Sequence, residues 1–153
     1  MNLSKSFTLN ELTKSQEATR LNIDNTPSEE HILNLKLLCE NILQPIRDFY
    51  EMPVSVSSGY RSAKLCEAIG SSSKSQHTRG EAADFEVFGI ANKELSDWIV
   101  QNLEYDQCIL EFWNENEPNS GWVHCSYTAK NINRKEYLKA IKKNDKVIYL
   151  NLK

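Results

Sequence analysis

The longest regular pattern in this chain is helical, and it limits what the other residues can form. Between residues 26 and 50, apolar side chains recur three or four positions apart, as on the buried face of an α-helix. Thr26 can cap this helix, Pro27 suits its first turn and Glu29 completes a capping box. The helix is therefore predicted to be scaffold that covers a second layer. Its apolar positions are Ile32, Leu35, Cys39, Ile42 and Ile46.

The second layer is predicted from short strand patterns in the remaining sequence. The segments VSVSS, EAADFEVF, QCILEF and GWVHCSY have strand composition, and residues 136–152 alternate well enough for a terminal hairpin that turns at Asn144 and Asp145. Ser62 can cap a short helix ending at Gly70, and a further helix is predicted over residues 92–102. This order predicts an α+β domain whose antiparallel sheet is covered by helices on one side.

The length and net charge of the chain limit the classes of function that it can have. At 153 residues the chain suits one domain, residues 1–153, and no apolar run approaches bilayer length, so we expect a soluble monomer without membrane contact. The first residues lack a signal-peptide pattern, which predicts synthesis in the cytoplasm. A net charge of −3 gives no electrostatic reason to bind nucleic acid.

The four cysteines do not form a metal-binding pattern. Cys39, Cys66, Cys108 and Cys125 are scattered without close pairs, which favours buried, reduced thiols over a zinc ribbon. Cys125 follows a candidate metal ligand, but adjacent side chains of a strand point to opposite faces, so it should turn away from any metal.

Two of the three histidines lie in surroundings that indicate a metal site. His77 begins the string HTRGEAAD and His124 lies in GWVHCSY, whereas His31 sits on the long helix and receives no role. A catalytic zinc takes three ligands of the imidazole and carboxylate type and keeps one position open, and His77, Asp84 and His124 form such a set. Gly80 would allow the chain to bend between the first two.

Three motifs in order, SGYRS, HTRGEAAD and WVHCSY, resemble the zinc D-alanyl-D-alanine carboxypeptidase family. Its relatives include phage L-alanyl-D-glutamate endolysins, vancomycin-resistance dipeptidases and, more distantly, the Hedgehog domain. The resemblance covers about residues 54–127, and the terminal hairpin is similar to that of short phage-type members. It implies one zinc ion held by His77, Asp84 and His124, and a substrate-facing Arg61.

The catalytic base is less directly indicated. Many family members carry an acid three residues before the last histidine, where this chain has Gly121. We predict that Glu111, at the end of QCILEF, takes this role, because a hairpin with GWVHCSY would bring it close to the zinc edge. Similar short phage-type relatives carry a glutamate at that strand end. Glu115 and Glu117 are rivals in the intervening loop, where solvated carboxylates are more common.

Other residues are predicted around the substrate, each with a plainer alternative. Arg61 could hold a substrate carboxylate or a developing oxyanion, or face solvent. Tyr60, Ser75 and Gln76 could line the same cleft or supply ordinary loop polarity. Trp122 should lie on the same face of its strand as His124, where it could either line the site or pack in the core.

The predicted function is hydrolysis of peptidoglycan stem peptides next to a D-amino acid, by a carboxypeptidase or an endopeptidase. The resemblance to short phage-type members suggests a lysis or tail-associated enzyme that acts on the cell wall. Two alternatives stay open: a zinc-binding module that has lost catalysis, and a dipeptidase acting on free D-alanyl-D-alanine in a closed cleft. The position of the Glu111 carboxylate should separate the enzyme from the binding module.

Overall fold

A computed structural model describes residues 1–153 as a six-stranded sheet with helices packed against it. The strand order is β1-β2-β4-β3-β5-β6. The strands are β1 Val54–Ser58, β2 Ala82–Val87, β3 Gln107–Glu111, β4 Trp122–Ser126, β5 Glu136–Lys143 and β6 Lys146–Asn151. The helices are α1 Leu9–Thr13, α2 Gln16–Arg20, α3 Glu29–Leu38, α4 Gln44–Tyr50, α5 Ala63–Ala68 and α6 Asn92–Asn102. The predicted α+β class is confirmed, and no helix has the length and apolarity that crossing a membrane requires.

The long helix differs from its prediction at the start and in the middle. It begins at Glu29, where the Ser28 hydroxyl accepts a hydrogen bond from the His31 N–H at 3.2 Å. Thr26 was the wrong cap: it bonds Asp24 instead, because the residue before a proline favours extended backbone. A π-helical turn, Cys39–Leu43, joins α3 to α4. This turn ends two residues before Pro45, whose missing N–H and ring an unbroken α-helix cannot accommodate.

The sheet is antiparallel except for one pair. Strand β5 runs parallel to β3, which the prediction of an antiparallel sheet did not include. The reason is that β2 and β3 occupy both edges of β4, so the chain leaving β4 crosses to the free edge of β3. The terminal hairpin of β5 and β6 is confirmed, and its turn residues Asn144 and Asp145 both have positive φ, as a two-residue hairpin turn requires.

The two faces of the sheet have different chemistry. On one face, alternate strand residues join α3, α4 and α6 in the main hydrophobic core; the strand members include Phe85, Cys108, Leu110, Val123 and Cys125. Asp84, His124 and Glu111 occupy the intervening positions and therefore lie on the opposite face. The helices thus form a scaffold for a sheet whose other face carries the candidate site.

Candidate active site

A polar cleft of about 820 Å³ lies over the face of the sheet opposite the main core. Its walls combine the predicted metal ligands with several charged side chains and few apolar ones. The lining residues include Arg61, Ser75, Gln76, His77, Arg79, Glu81, Asp84, Asp106, Ile109, Glu111, His124, Arg134 and Tyr149.

Three side chains in this cleft bring possible metal-ligand atoms together. One ligand atom from each of His77, Asp84 and His124 lies within 4.8 Å of the others. The Asp84 Oδ1 atom is 2.9 Å from His124 Nδ1 and 3.4 Å from His77 Nε2. All three residues are at most 9 % exposed. The structure thus brings together the set that the sequence indicated.

Local structure explains how these residues converge. Asp84 and His124 are directly opposite each other in the antiparallel pair of β2 and β4. His77 lies in a 3-10 turn, Gln76–Arg79, and Gly80 ends this turn with φ +74 before β2 begins. A Cβ atom at Gly80 would lie 2.5 Å from the His31 carbonyl oxygen, so both the backbone angle and the close packing require glycine here.

The hydrogen bond of His77 leaves its other ring nitrogen available to a metal. Its Nδ1 atom is 2.7 Å from the Gly59 carbonyl oxygen, and a carbonyl can only accept, so Nδ1 carries the proton. Nε2 then directs a lone pair at the Asp84 carboxylate. A cation among these atoms would relieve that repulsion, and a backbone carbonyl behind a ligating histidine is the usual outer support of a zinc site.

The electrostatics also suit a cation. Burial lowers the pKa of His77 and outweighs the neighbouring Asp84, which raises it, so the ring stays neutral as a metal ligand requires. Burial alone would raise the pKa of Asp84, but the hydrogen bond from His124, together with the nearby His77 ring, outweighs it, and the net pKa is lowered. Two histidines and an ionised aspartate therefore fit zinc.

Glu111 lies in the same cleft, one strand away from His124. It ends β3 directly opposite Trp122 of β4. Burial, followed by the Asp84 charge, raises the pKa of its carboxyl; His124, Trp122 and Arg61 act in the opposite direction without cancelling this. A raised carboxyl pKa brings the group closer to the range in which it can both take and return a proton near neutral pH.

The backbone beside Glu111 explains why residue 121 is glycine. Gly121 has φ +67, and a Cβ atom there would lie 1.9 Å from the Glu111 carbonyl oxygen. Phe112, the residue after Glu111, also has positive φ at 56, a conformation that non-glycine residues seldom adopt. The chain in this conformation cannot carry a glutamate at position 121.

Arg61 lines the cleft without a carboxylate partner. Its backbone N–H donates to the His77 carbonyl oxygen at 3.1 Å, which ties it to the metal-ligand segment. Its Nε atom is buried and has no hydrogen-bond partner, whereas Arg79 and Arg134 of the same cleft are paired with Glu81 and Asp106. An unpaired buried donor at this position is suited to an anionic or carbonyl oxygen of a substrate.

The remaining predicted residues are divided between the cleft and the core. Ser75 and Gln76 line the cleft, but the Ser75 hydroxyl accepts from the His77 N–H and the Gln76 amide donates to Asp106. Tyr60 does not line it: the ring is 6 % exposed in the core, 5.4 Å from His31. The predicted position of Tyr60 in the cleft was therefore wrong. Its backbone N–H donates to the Leu12 carbonyl oxygen, a long-range contact that the SGYRS motif does not indicate.

Trp122 takes an intermediate position. It is half-buried beside Phe112, with the ring centroids 5.5 Å apart, and it does not line the cleft. Its indole N–H is close enough to lower the pKa of Glu111 but has no partner with hydrogen-bond geometry. Trp122 therefore lies beside Glu111 and belongs neither to the cleft lining nor to the main hydrophobic core.

Sequence reasoning missed several residues of the cleft. Asp106 is 4 % exposed and accepts hydrogen bonds from Arg134 and Gln76, which fixes one wall. Tyr149 comes from the terminal hairpin, where the alternating pattern gave no functional signal. The four cysteines are buried and free, as predicted, and Cys125 belongs to the core on the other face of the sheet from His124.

Comparison with known proteins agrees with this geometry. The family model described as peptidase M15 matches residues 5–126, which include His77, Asp84, Glu111 and His124. No curated protein matches the chain. The match covers well over half of the sequence and confirms the resemblance drawn from the three motifs. The chain is therefore a member of the peptidase M15 family.

Proposed function

We propose that this protein is a zinc-dependent peptidase that hydrolyses peptidoglycan stem peptides next to a D-amino acid. The observation that carries the proposal is the meeting of His77, Asp84 and His124 with the carboxylate of Glu111 in one cleft. A zinc ion bound by the first three would supply Lewis-acid activation of water and of the peptide carbonyl.

The other cleft residues have separate roles in this reaction. Glu111 takes a proton from the attacking water and returns it to the amine that leaves, which its raised pKa favours. Arg61 binds the oxygen on which negative charge develops, since its guanidinium has no carboxylate partner in the structure. The backbone carbonyl of Gly59 holds the His77 ring in the ligand orientation.

The substrate and the setting are also part of the proposal. Peptide stems of bacterial cell wall are the substrate class that the family resemblance implies, and a phage-encoded lysis or tail-associated role follows from the similarity to short members. The enzyme would be made in the cytoplasm and act as a monomer on the wall.

Two alternatives are less well supported. A zinc-binding module without catalysis gives no reason for a half-buried glutamate of raised pKa in the same cleft as the ligands. A dipeptidase for free D-alanyl-D-alanine would need a closed cleft, whereas the side chains of Arg79 and Arg134 on this cleft wall are 43 % and 54 % exposed. An open cleft favours a polymer substrate.

The test is release of new amino groups from purified peptidoglycan by zinc-loaded wild type, Glu111→Gln and His124→Ala. We expect wild type to cut, Glu111→Gln to keep its zinc and lose about 10²–10⁴-fold in rate, and His124→Ala to lose zinc as well. Zinc content is measured for each protein. Tight zinc binding by wild type with no release from polymer or from short D-alanyl peptides would support the binding module instead.

A further inference from the structure

Trp122 contains one of the few buried polar atoms of this protein that have no hydrogen-bond partner. Its indole Nε1 is shielded from solvent and donates to no acceptor in the structure. A buried indole N–H usually finds an acceptor, because leaving a buried donor unsatisfied is unfavourable. The other such atoms are the Arg61 Nε of the cleft and two atoms outside it, on His31 and Asn92. The unpaired N–H of Trp122 therefore calls for a functional explanation.

The register of the sheet places the Trp122 side chain next to that of Glu111. The two residues are directly opposite each other in the antiparallel pair of β3 and β4. Directly opposite side chains project from the same face of a sheet, with Cβ atoms about 4.5–5.5 Å apart. Trp122 is also two residues from His124 and therefore lies on the cleft face of β4. The Glu111 carboxylate is thus the hydrogen-bond acceptor on the side chain beside the indole.

Close contacts at the ends of both strands hold these two side chains together. Gly121 comes just before Trp122, and a Cβ atom there would lie 1.9 Å from the Glu111 carbonyl oxygen. The ring of Phe112, which follows Glu111, packs against the indole with ring centroids 5.5 Å apart. The position of the indole is therefore set by contacts with the end of β3 as well as by its own strand.

The electrostatics of Glu111 agree with this proximity. Burial and then the Asp84 charge raise the pKa of its carboxyl, whereas the Trp122 N–H is among the groups that lower it. A neighbouring N–H lowers a carboxyl pKa by favouring the ionised form, which it does only at short range. The two groups therefore interact in the structure, although the N–H is not aligned for a hydrogen bond.

We propose that Trp122 is a positioning residue that donates its indole N–H to one carboxylate oxygen of Glu111 during catalysis. This role rests on the proposed function, in which Glu111 is the base. A glutamate side chain has several rotatable bonds, and a hydrogen bond to one oxygen fixes its rotamer. The second oxygen stays free to take a proton from water. Alignment of the bond needs only side-chain movement, because the two residues are already opposite each other.

The test compares zinc-loaded wild type with Trp122→Phe, which keeps an aromatic ring and removes the N–H donor. Loss of a hydrogen bond to a charged group should lower kcat on a stem peptide by about tenfold to hundredfold, while KM changes by less than about twofold. Zinc content should stay the same. Because the indole acts through the carboxylate, adding Trp122→Phe to Glu111→Gln should lower the rate by less than about twofold further.

Trp113→Phe is the matched control. The Trp113 indole N–H donates to the Pro118 carbonyl oxygen at 3.1 Å, and the residue does not line the cleft. This variant should keep the kcat and KM of wild type. Additive losses from Trp122→Phe and Glu111→Gln, or a fall in kcat no larger than that of Trp113→Phe, would overturn the inference.

A second readout does not depend on activity. The indole N–H resonance of Trp122, assigned by its loss in Trp122→Phe, is compared by NMR between wild type and Glu111→Gln. Removal of the carboxylate charge should shift it further than the resonance of Trp98, which lies on α6. Equal shifts would overturn the inference. No cleavage by zinc-loaded wild type would overturn the proposed function and this role together, whereas cleavage with additive losses would overturn the role alone.

Discussion

The two ends of the cleft use charged groups in different ways. At one end Arg79 is paired with Glu81, and Asp106 accepts hydrogen bonds from both Arg134 and Gln76. At the metal-ligand end the buried Arg61 Nε has no hydrogen-bond partner, and the half-buried Glu111 carboxyl has a pKa raised by burial and by the Asp84 charge. Both ends have similar residue types, but only the metal-ligand end leaves an arginine without a carboxylate partner.

This difference separates structural groups from functional ones. Leaving a buried polar group without a partner costs about 1–3 kcal/mol, so folding alone does not favour such a group. The paired end of the cleft is complete without a ligand and serves as a wall. The unpaired groups lie around His77, Asp84 and His124, where a metal and a substrate would satisfy them.

The largest expected effect comes from removing a metal ligand. In His77→Ala the site loses the ring that the Gly59 carbonyl orients. We expect zinc content far below one ion per chain and a fall in peptidase rate of more than about 10³-fold. Metal analysis after dialysis and the amino-group release assay measure the two quantities.

His31→Ala is the matched control, since His31 lies outside the cleft and packs on Tyr60. It should keep its zinc and most of its activity. Equal zinc content in both variants would exclude His77 as a ligand.

A smaller effect distinguishes the two ends of the cleft directly. Arg61→Ala removes the unpaired guanidinium, and we expect kcat/KM to fall by about 10²-fold or more, because this group would act on charge that develops in the reaction. Arg79→Ala removes a guanidinium that is already paired with Glu81 and should change kcat/KM by less than about fivefold. Steady-state kinetics on one stem peptide compares them, and equal losses would remove the distinction between paired and unpaired arginines.

Gly121 tests whether the backbone at the Glu111 end is as constrained as the geometry indicates. Gly121→Ala places a Cβ atom 1.9 Å from the Glu111 carbonyl oxygen and should lower the free energy of unfolding by about 3 kcal/mol. Gly70→Ala has similar backbone strain, φ +77, but open space around it, and should cost about 1 kcal/mol. Urea unfolding measures both, and a Gly121→Ala cost no larger than that of Gly70→Ala would rule out the close contact.

Local sequence patterns were sufficient for most elements and for the convergence of the ligands. Strand composition identified β2 and β4, and the observed pairing of these strands brings Asp84 opposite His124. The helix over residues 92–102 was predicted at its observed ends, Asn92–Asn102. These features depend on neighbours in the sequence or on one pair of strands, which is why the sequence alone could indicate them.

The features that were missed depend on long-range packing. Strand β5 pairs with β3 because β2 and β3 already occupy both edges of β4. This position of β5 brings Tyr149, on the neighbouring strand β6, to the cleft. The pairing of Asp106 with Arg134 joins residues 28 positions apart and has no local pattern. Pro45 was visible inside the long helix, but the π-helical turn that accommodates it was not predicted.

Asp106 provides the smallest expected effect, and it depends on pH. Burial alone would raise the pKa of Asp106, but hydrogen bonds from Arg134 outweigh it, and the folded-state pKa is lowered. The ionised carboxylate therefore stabilises the fold above the unfolded pKa of about 3.9, and this stabilisation is lost as pH falls through the lower folded value. Asp106→Asn should cost about 1–2 kcal/mol at pH 7.

The pH dependence of this cost separates charge from shape. Because the wild-type carboxyl becomes neutral in acid, the difference in free energy of unfolding between wild type and Asp106→Asn should shrink below about pH 4. Asp145→Asn, at the exposed hairpin turn, should change the free energy little at either pH, since asparagine tolerates the same positive φ. A difference for Asp106→Asn that stays constant from pH 7 to pH 3 would mean that the carboxylate supports the wall by its shape and not by its charge.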